Sequence, residues 1–157
     1  LAAVREFWQG LLVLGGAISS GAGILASQIL GADFAYMGTR FISSKESLAK
    51  PEYKAMLVDS VAKDIINTAA FTGIPNNMLR QSIEKAGFDP DNIPSSAKSK
   101  LNFDDPHSGA KAWRDIWSAG HGVGEVKEIL SVKEIVASLT TQYQETLQKP
   151  IITRRFI

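Results

Sequence analysis

The chain has 157 residues, 45% of them apolar and 21% charged, which is ample for one soluble domain with a core. A net charge of +1 provides no long-range field for nucleic acid or an anionic membrane, so neither is expected as a partner. With no cysteine there is no disulfide or thiolate chemistry, and the chain fits a reducing, cytoplasmic setting.

The first residues, Leu1 to Trp8, read as part of a helix. Leu11 to Leu14 is a continuous apolar run between Gly10 and Gly15-Gly16, the pattern of a buried strand. From Ala22 the apolar spacing turns helical, with Gly31 as its stop. The glycines, serines and glutamine between Leu11 and Leu30 make that stretch a poor membrane span. Phe34 to Met37 is a second buried strand, so strand, helix and strand form one right-handed parallel crossover.

Ser43-Ser-Lys-Glu46 has capping-box spacing, and Pro51 suits the first turn of a helix carrying Tyr53, Met56, Leu57, Val61 and Ile65 on one face. Met78 to Ala86 reads as a helix ended by Gly87, and residues 88 to 109, with three prolines, as a long loop. Trp113 and Trp117 lie four apart, the spacing of a core stripe on a short helix. After Ala119-Gly-His-Gly-Val-Gly124, Ser131 and Glu134 cap a last helix with Val132, Val136, Leu139, Tyr143 and Leu147 on one stripe. Two parallel strands leave both sheet edges unpaired, so the chain reads as the last third to half of a larger α/β protein.

Both strands end in glycine loops, Gly15-Gly16-Ala17 and Gly38-Thr39. Ligands of parallel α/β proteins gather at the carboxyl ends of strands, and the loops after the last two strands of eight-stranded barrels frequently hold phosphate. Backbone N–H groups without a bulky Cβ can crowd around an anion. Tight turns alone account for the same glycines. Gly21-Ala-Gly23-Ile-Leu-Ala26 also fits a dinucleotide fingerprint, but six residues separate it from Leu14, and Asp33 precedes the next strand instead of ending it.

The stretch from Leu14 to Ile42, with "YKAMLVDSVAKDII", "FTGIPNNMLRQSI", "KAWRDIWSAGHGVG" and "VKEIVASL", resembles the nitronate monooxygenases, formerly 2-nitropropane dioxygenases. The resemblance implies the C-terminal part of an FMN-binding (β/α)8 TIM barrel with an added, mostly helical segment. Residues 1–42 would be the last βα units, 43–110 the helical segment and long loop, and 111–157 the helices closing on the barrel. Gly16 and Ala17 fall on the family's usual Gly-Gly pair, where alanine suffices if its φ is negative. Tyr36, Met37, Gly38 and Thr39 fall on the second phosphate loop, where Gln often replaces Tyr36.

The implied activity is oxidation of alkyl nitronates, small-molecule substrates, with dioxygen. The alternatives are a flavin-dependent enoyl reductase of the same barrel kind and a non-catalytic fragment. The family's histidine base matches neither His107 nor His121, so no catalytic residue is expected here. The barrel half preceding this chain would be its partner, and homo-oligomerisation stays open. His107 reads as solvated and His121 as structural, and neither has a carboxylate at ligand-like spacing, so no metal site is expected. Arg40 and Lys45 could reach a phosphate or form surface ion pairs, and Arg154-Arg155 reads as a tail.

Overall fold

The computed structural model describes residues 1–94 and 115–149. Trp113, His107, Arg154-Arg155 and most of the expected loop after residue 94 lie outside the described residues. The architecture is α/β. A short helix, α1 (Ala2–Arg5), leads to β1 (Val13–Gly15), α2 (Gly21–Ile29) and β2 (Phe34–Tyr36). β1 and β2 pair in parallel, with Val13 opposite Phe34, Leu14 opposite Ala35 and Gly15 opposite Tyr36.

The strands are shorter than expected and are not buried on both faces. Leu14 and Ala35 are half-buried on the face that α2 covers, whereas Val13, Phe34 and Tyr36 are 56%, 56% and 69% exposed on the other. One helix covers one face of a sheet, which is why continuous apolar runs appear here as half-exposed strands.

The start of the sheet is pinned by charge. The Arg5 guanidinium donates to the Gly31 carbonyl at 2.7 Å and to the Asp33 carboxylate at 2.7 Å. Asp33 also accepts the Leu12 N–H at 2.8 Å. The Leu12 N–H first, and Arg5 next, hold the Asp33 carboxyl below its ordinary pKa. Asp33 thus fastens β1 to β2 and has no ribose to meet. Gly31, with φ +100°, makes the expected left-handed stop after α2.

α3 (Thr39–Ile42) follows the second loop, and Pro51 opens α4 (Pro51–Asp59) as expected. The expected box at Ser43 does not form. Ser43 ends α3 and donates to the Arg40 carbonyl, while the Glu46 carboxylate accepts the Val132 N–H at 2.9 Å, capping a different helix 86 residues away. Lys54, 8% exposed, donates to the Ser44 and Ser47 carbonyls at 2.6 and 2.8 Å and so fixes the loop that carries Glu46. α4 ends before Val61 and Ile65, so those residues leave its stripe.

A hairpin replaces the start of the expected third helix. β3 (Ile65–Thr68) and β4 (Asn76–Leu79) pair antiparallel, and only from Arg80 does the chain become helical, as α5 (Arg80–Lys85). β4 also pairs with the extended segment around Trp117: Leu79 N–H donates to the Trp117 carbonyl at 2.8 Å, and Met78 bridges Ser118. Trp117 therefore lies on an extended strand-like segment and not on a helix. It stacks on Tyr53 at 4.9 Å in a core with Leu57, Leu79, Val123 and Val126. Burial pushes the Tyr53 phenol up to about 12, while its hydroxyl donates to the Ser118 carbonyl. A second core gathers Phe71, Met78, Ile83 and Ile116.

α6 (Val132–Gln148) begins with the expected Ser131–Glu134 box. Its buried positions are Ile135 and Leu139, whereas Val132, Val136 and Leu147 are exposed. The stripe is rotated because α6 packs on α2 through Gly21. A methyl on Gly21 would stand 2.3 Å from both the Leu139 carbonyl oxygen and the Tyr143 nitrogen. The Gly21 N–H donates to Gln142 Oε1 at 2.9 Å. Close helix contact is thus what the first glycine of the dinucleotide-like pattern provides.

Gly21→Ala is expected to force α2 and α6 apart and to cost about 3 kcal/mol, read by urea denaturation. An unchanged midpoint would contradict the packing. Glu134 is held down to about 2 from an ordinary 4.5 by hydrogen bonds from the Ser131 hydroxyl and N–H and by Lys45. A depressed carboxyl contributes stability that is present above its unfolded pKa and is lost as pH falls through its folded one. Glu134→Gln should therefore lower the melting temperature at pH 6, and the gap should close between pH 4.5 and 2. A gap that stays constant across that range would remove the charge from the account.

Candidate functional site

The loops after β1 and β2 converge on a cavity of about 150 Å³ lined by Gly16, Ala17, Ile18, Ser19, Tyr36, Gly38, Thr39, Gly120 and Gly122. That is room for a few waters or one compact oxyanion. Five of the six expected residues meet here: Gly16, Ala17, Tyr36, Gly38 and Thr39. Met37 is half-buried and does not line the cavity.

Gly16 and Ala17 turn the first loop with φ of +101° and +54°. The condition for alanine to suffice at Ala17, a negative φ, is not met: the chain reverses through two successive left-handed residues, and the second carries a Cβ. Among the described residues the N–H groups of Ala17, Ile18 and Ser19 have no hydrogen-bond acceptor, so they remain available to a ligand. Gly38 needs no glycine for its own geometry, since its φ is −102°. Nothing lies within 4 Å of where its Cβ would be, so the absent side chain opens the backbone to close approach.

The third wall was not legible as part of the site. Gly120 precedes a 3-10 turn, His121–Glu125, and Gly122 lies within it; both stand against Ala17 of the first loop. The Thr39 hydroxyl oxygen accepts the Gly120 N–H at 2.9 Å, tying this wall to the second loop. Its own proton is left to donate. On the far side of Gly38, Thr39 and Gly120 lies a more open cavity of about 270 Å³, bounded also by Ile42, Asn76, Asn77 and Ser118. His121 is exposed and lines neither cavity.

Among the described residues no lysine or arginine lines the first cavity. Arg40 is 7% exposed, and its guanidinium reaches the Ser43 hydroxyl at 3.4 Å. Burial lowers its pKa, opposed by the charge of Glu128. Lys45 pairs with Glu134 at 3.1 Å. An anion would therefore be held by backbone and hydroxyl donors, a neutral cradle in which the absent Cβ at Gly38 leaves space for a phosphate group. Among the described residues no group of three or more His, Asp or Glu side chains could hold a metal, and no helix is long and apolar enough to cross a membrane.

A parallel strand–helix–strand unit whose carboxyl ends open on a glycine-lined cavity defines an α/β ligand-binding protein. Residues 11–142 match the family described as nitronate monooxygenase, and the chain belongs to that family. A probable nitronate monooxygenase of Staphylococcus saprophyticus is 32% identical over 113 residues, covering 68% of this chain and 32% of that protein. A nitronate monooxygenase of Paraburkholderia phytofirmans is 27% identical over 144 residues, covering 88% of this chain and 39% of that protein. The chain thus spans 32% and 39% of the length of these two relatives.

Among solved structures, FabK from Thermotoga maritima superposes with a TM-score of 0.69 at 29% identity, over 92% of this chain and 48% of FabK. Nitroalkane oxidase from Streptomyces ansochromogenes gives 0.65 at 28%, over 93% of this chain and 43% of that one.

The left-handed Ala17 generates a prediction. An alanine there costs about 1–2 kcal/mol, partly offset by the greater chain entropy that glycine loses on folding. Ala17→Gly is expected to stabilise by about 0.5–1 kcal/mol in chemical denaturation, and destabilisation would contradict the assigned turn.

Proposed function

We propose that this chain supplies the phosphate-anchoring part of an FMN-dependent, nitronate monooxygenase-like oxidoreductase built on a (β/α)8 barrel. The observation that carries it is the convergence of both strand-end loops with the Gly120–Gly122 turn on one cavity, whose described lining is backbone, hydroxyl and uncharged side chains. Gly16, Ala17, Gly38 and Thr39 would surround the phosphate, and Tyr36 would wall its outer side. When bound, FMN supplies the electron-accepting ring, with an alkyl nitronate as donor and dioxygen as acceptor. The residues here bind and orient, while the base would come from the barrel half whose strands extend the edges of the β1–β2 sheet and whose side chains cover its exposed face.

Residues 1–42 act in this reading as the last βα units, 43–110 as the added segment and long loop, with the β3–β4 hairpin in place of part of its expected helix, and 111–157 as the part closing on the barrel. The protein would work in the cytoplasm, without nucleic acid or membrane, as a monomer or a homo-oligomer. A flavin-dependent enoyl reductase of the same barrel kind has no observation that favours it. Nitronate-dependent oxygen uptake, set against nicotinamide oxidation by the full-length protein, separates the two.

The cavity is tested by Gly38→Asp in the full-length protein. The new carboxylate would enter the open space beside the phosphate, where repulsion of partly shielded charges reaches roughly a few kcal/mol. FMN affinity should fall by about two to three orders of magnitude while the melting temperature of the apoprotein holds. Unchanged flavin retention on gel filtration would remove the phosphate from this cavity.

A further inference from the structure

We propose that Ser19 is a side-chain donor to the anion, a specificity residue that distinguishes a phosphate monoester from its dephosphorylated counterpart. The proposal rests on the phosphate reading of the cavity. Ser19 is 5% exposed. Six serines are buried among the described residues: Ser19, Ser27, Ser43, Ser44, Ser60 and Ser82. Ser27, Ser43, Ser60 and Ser82 donate to backbone carbonyls one turn earlier, and Ser44 accepts the Ser47 N–H. Ser19 alone among them makes no hydrogen bond to the described residues.

A desolvated hydroxyl without a partner is costly, and buried polar groups are normally satisfied. No fully enclosed side-chain polar atom among the described residues lacks a partner, so the Ser19 hydroxyl is not sealed in; it opens onto the cavity that the residue lines.

The opposite wall is shaped around it. A methyl on Gly122 would stand 2.6 Å from Ser19 Oγ and 2.9 Å from the Ala17 carbonyl oxygen. The glycine therefore leaves space that the hydroxyl occupies. The neighbouring Ser20 has a separate duty, accepting the Gly23 N–H at 3.2 Å to cap α2. With no cation among the described residues of the cavity wall, a hydroxyl that donates to a phosphate oxygen is one of few directional side-chain contacts they offer. Such a bond to a charged acceptor is stronger than a neutral one. It favours the phosphate, since a terminal alcohol in its place offers neither the charge nor the outlying oxygens that reach the hydroxyl.

The test measures FMN and riboflavin affinities by fluorescence titration for the full-length protein and its Ser19→Ala variant. The apoprotein melting temperatures serve as a folding check. FMN should bind the variant roughly ten- to a hundredfold more weakly, with riboflavin unchanged. Ser19→Gly removes the same hydroxyl and should repeat the effect if alanine disturbs the turn. If the parent prefers FMN and the variants retain that preference in full, Ser19 makes no such contact and the cavity reading survives without it. Equal weakening of both flavins would assign Ser19 a structural role and overturn the proposal. A parent that binds both flavins equally would overturn the phosphate reading and this inference with it.

Discussion

The parallel ladder between β1 and β2 is the constraint on which the rest depends. Three paired positions set Gly15 beside Tyr36, so the two loops that follow leave the sheet about one strand spacing apart. A parallel pair can be joined only by a crossover, and α2 is that crossover. Its seat is fixed at one end by Gly21 against the backbone of α6 and at the other by Arg5 and Asp33 across the strand starts. Neither loop could hold its position if α2 slid or tilted. Site geometry is thus set by contacts lying on the other side of the sheet or at its far end.

The glycine turn after Ala119 is held in a comparable way, by groups that never face the cavity. The Leu79 N–H donates to the Trp117 carbonyl, Tyr53 stacks on Trp117 and donates to the Ser118 carbonyl, and the chain then arrives at Gly120 within reach of Thr39. The hairpin β3–β4 is the platform for this segment. A loop distant in sequence becomes the third wall because a strand edge needed a partner.

Features governed by neighbours in sequence were legible: the crossover, the stop at Gly31, Pro51 opening α4, and the Ser131–Glu134 cap. Those governed by distant partners were not. Glu46 has the right spacing to cap its own segment, yet Lys54 draws the surrounding carbonyls inward and leaves the carboxylate for Val132. Met78 and Leu79 have helical periodicity with Ile83, but the open edge beside Trp117 draws them into a strand. Ala17 offered no local sign of its positive φ, since alanine ordinarily avoids that region and only the loop closure imposes it. Ser19 passed unnoticed because a serine beside a capping serine reads as part of the same loop.

Because the cradle is drawn mainly by main-chain groups, its chemistry is only loosely written in side-chain letters. Ala17 follows the left-handed turn begun by Gly16 despite its Cβ, and the Tyr36 side chain walls the cavity without setting the line that the backbone traces. Divergence can thus run far through these loops before the pocket's outline is erased. What it cannot touch freely are positions where a single carbon would collide with another segment's backbone, such as Gly21 and Gly122. At such positions one backbone is the mould for another, whereas the loops around them are held only at their ends.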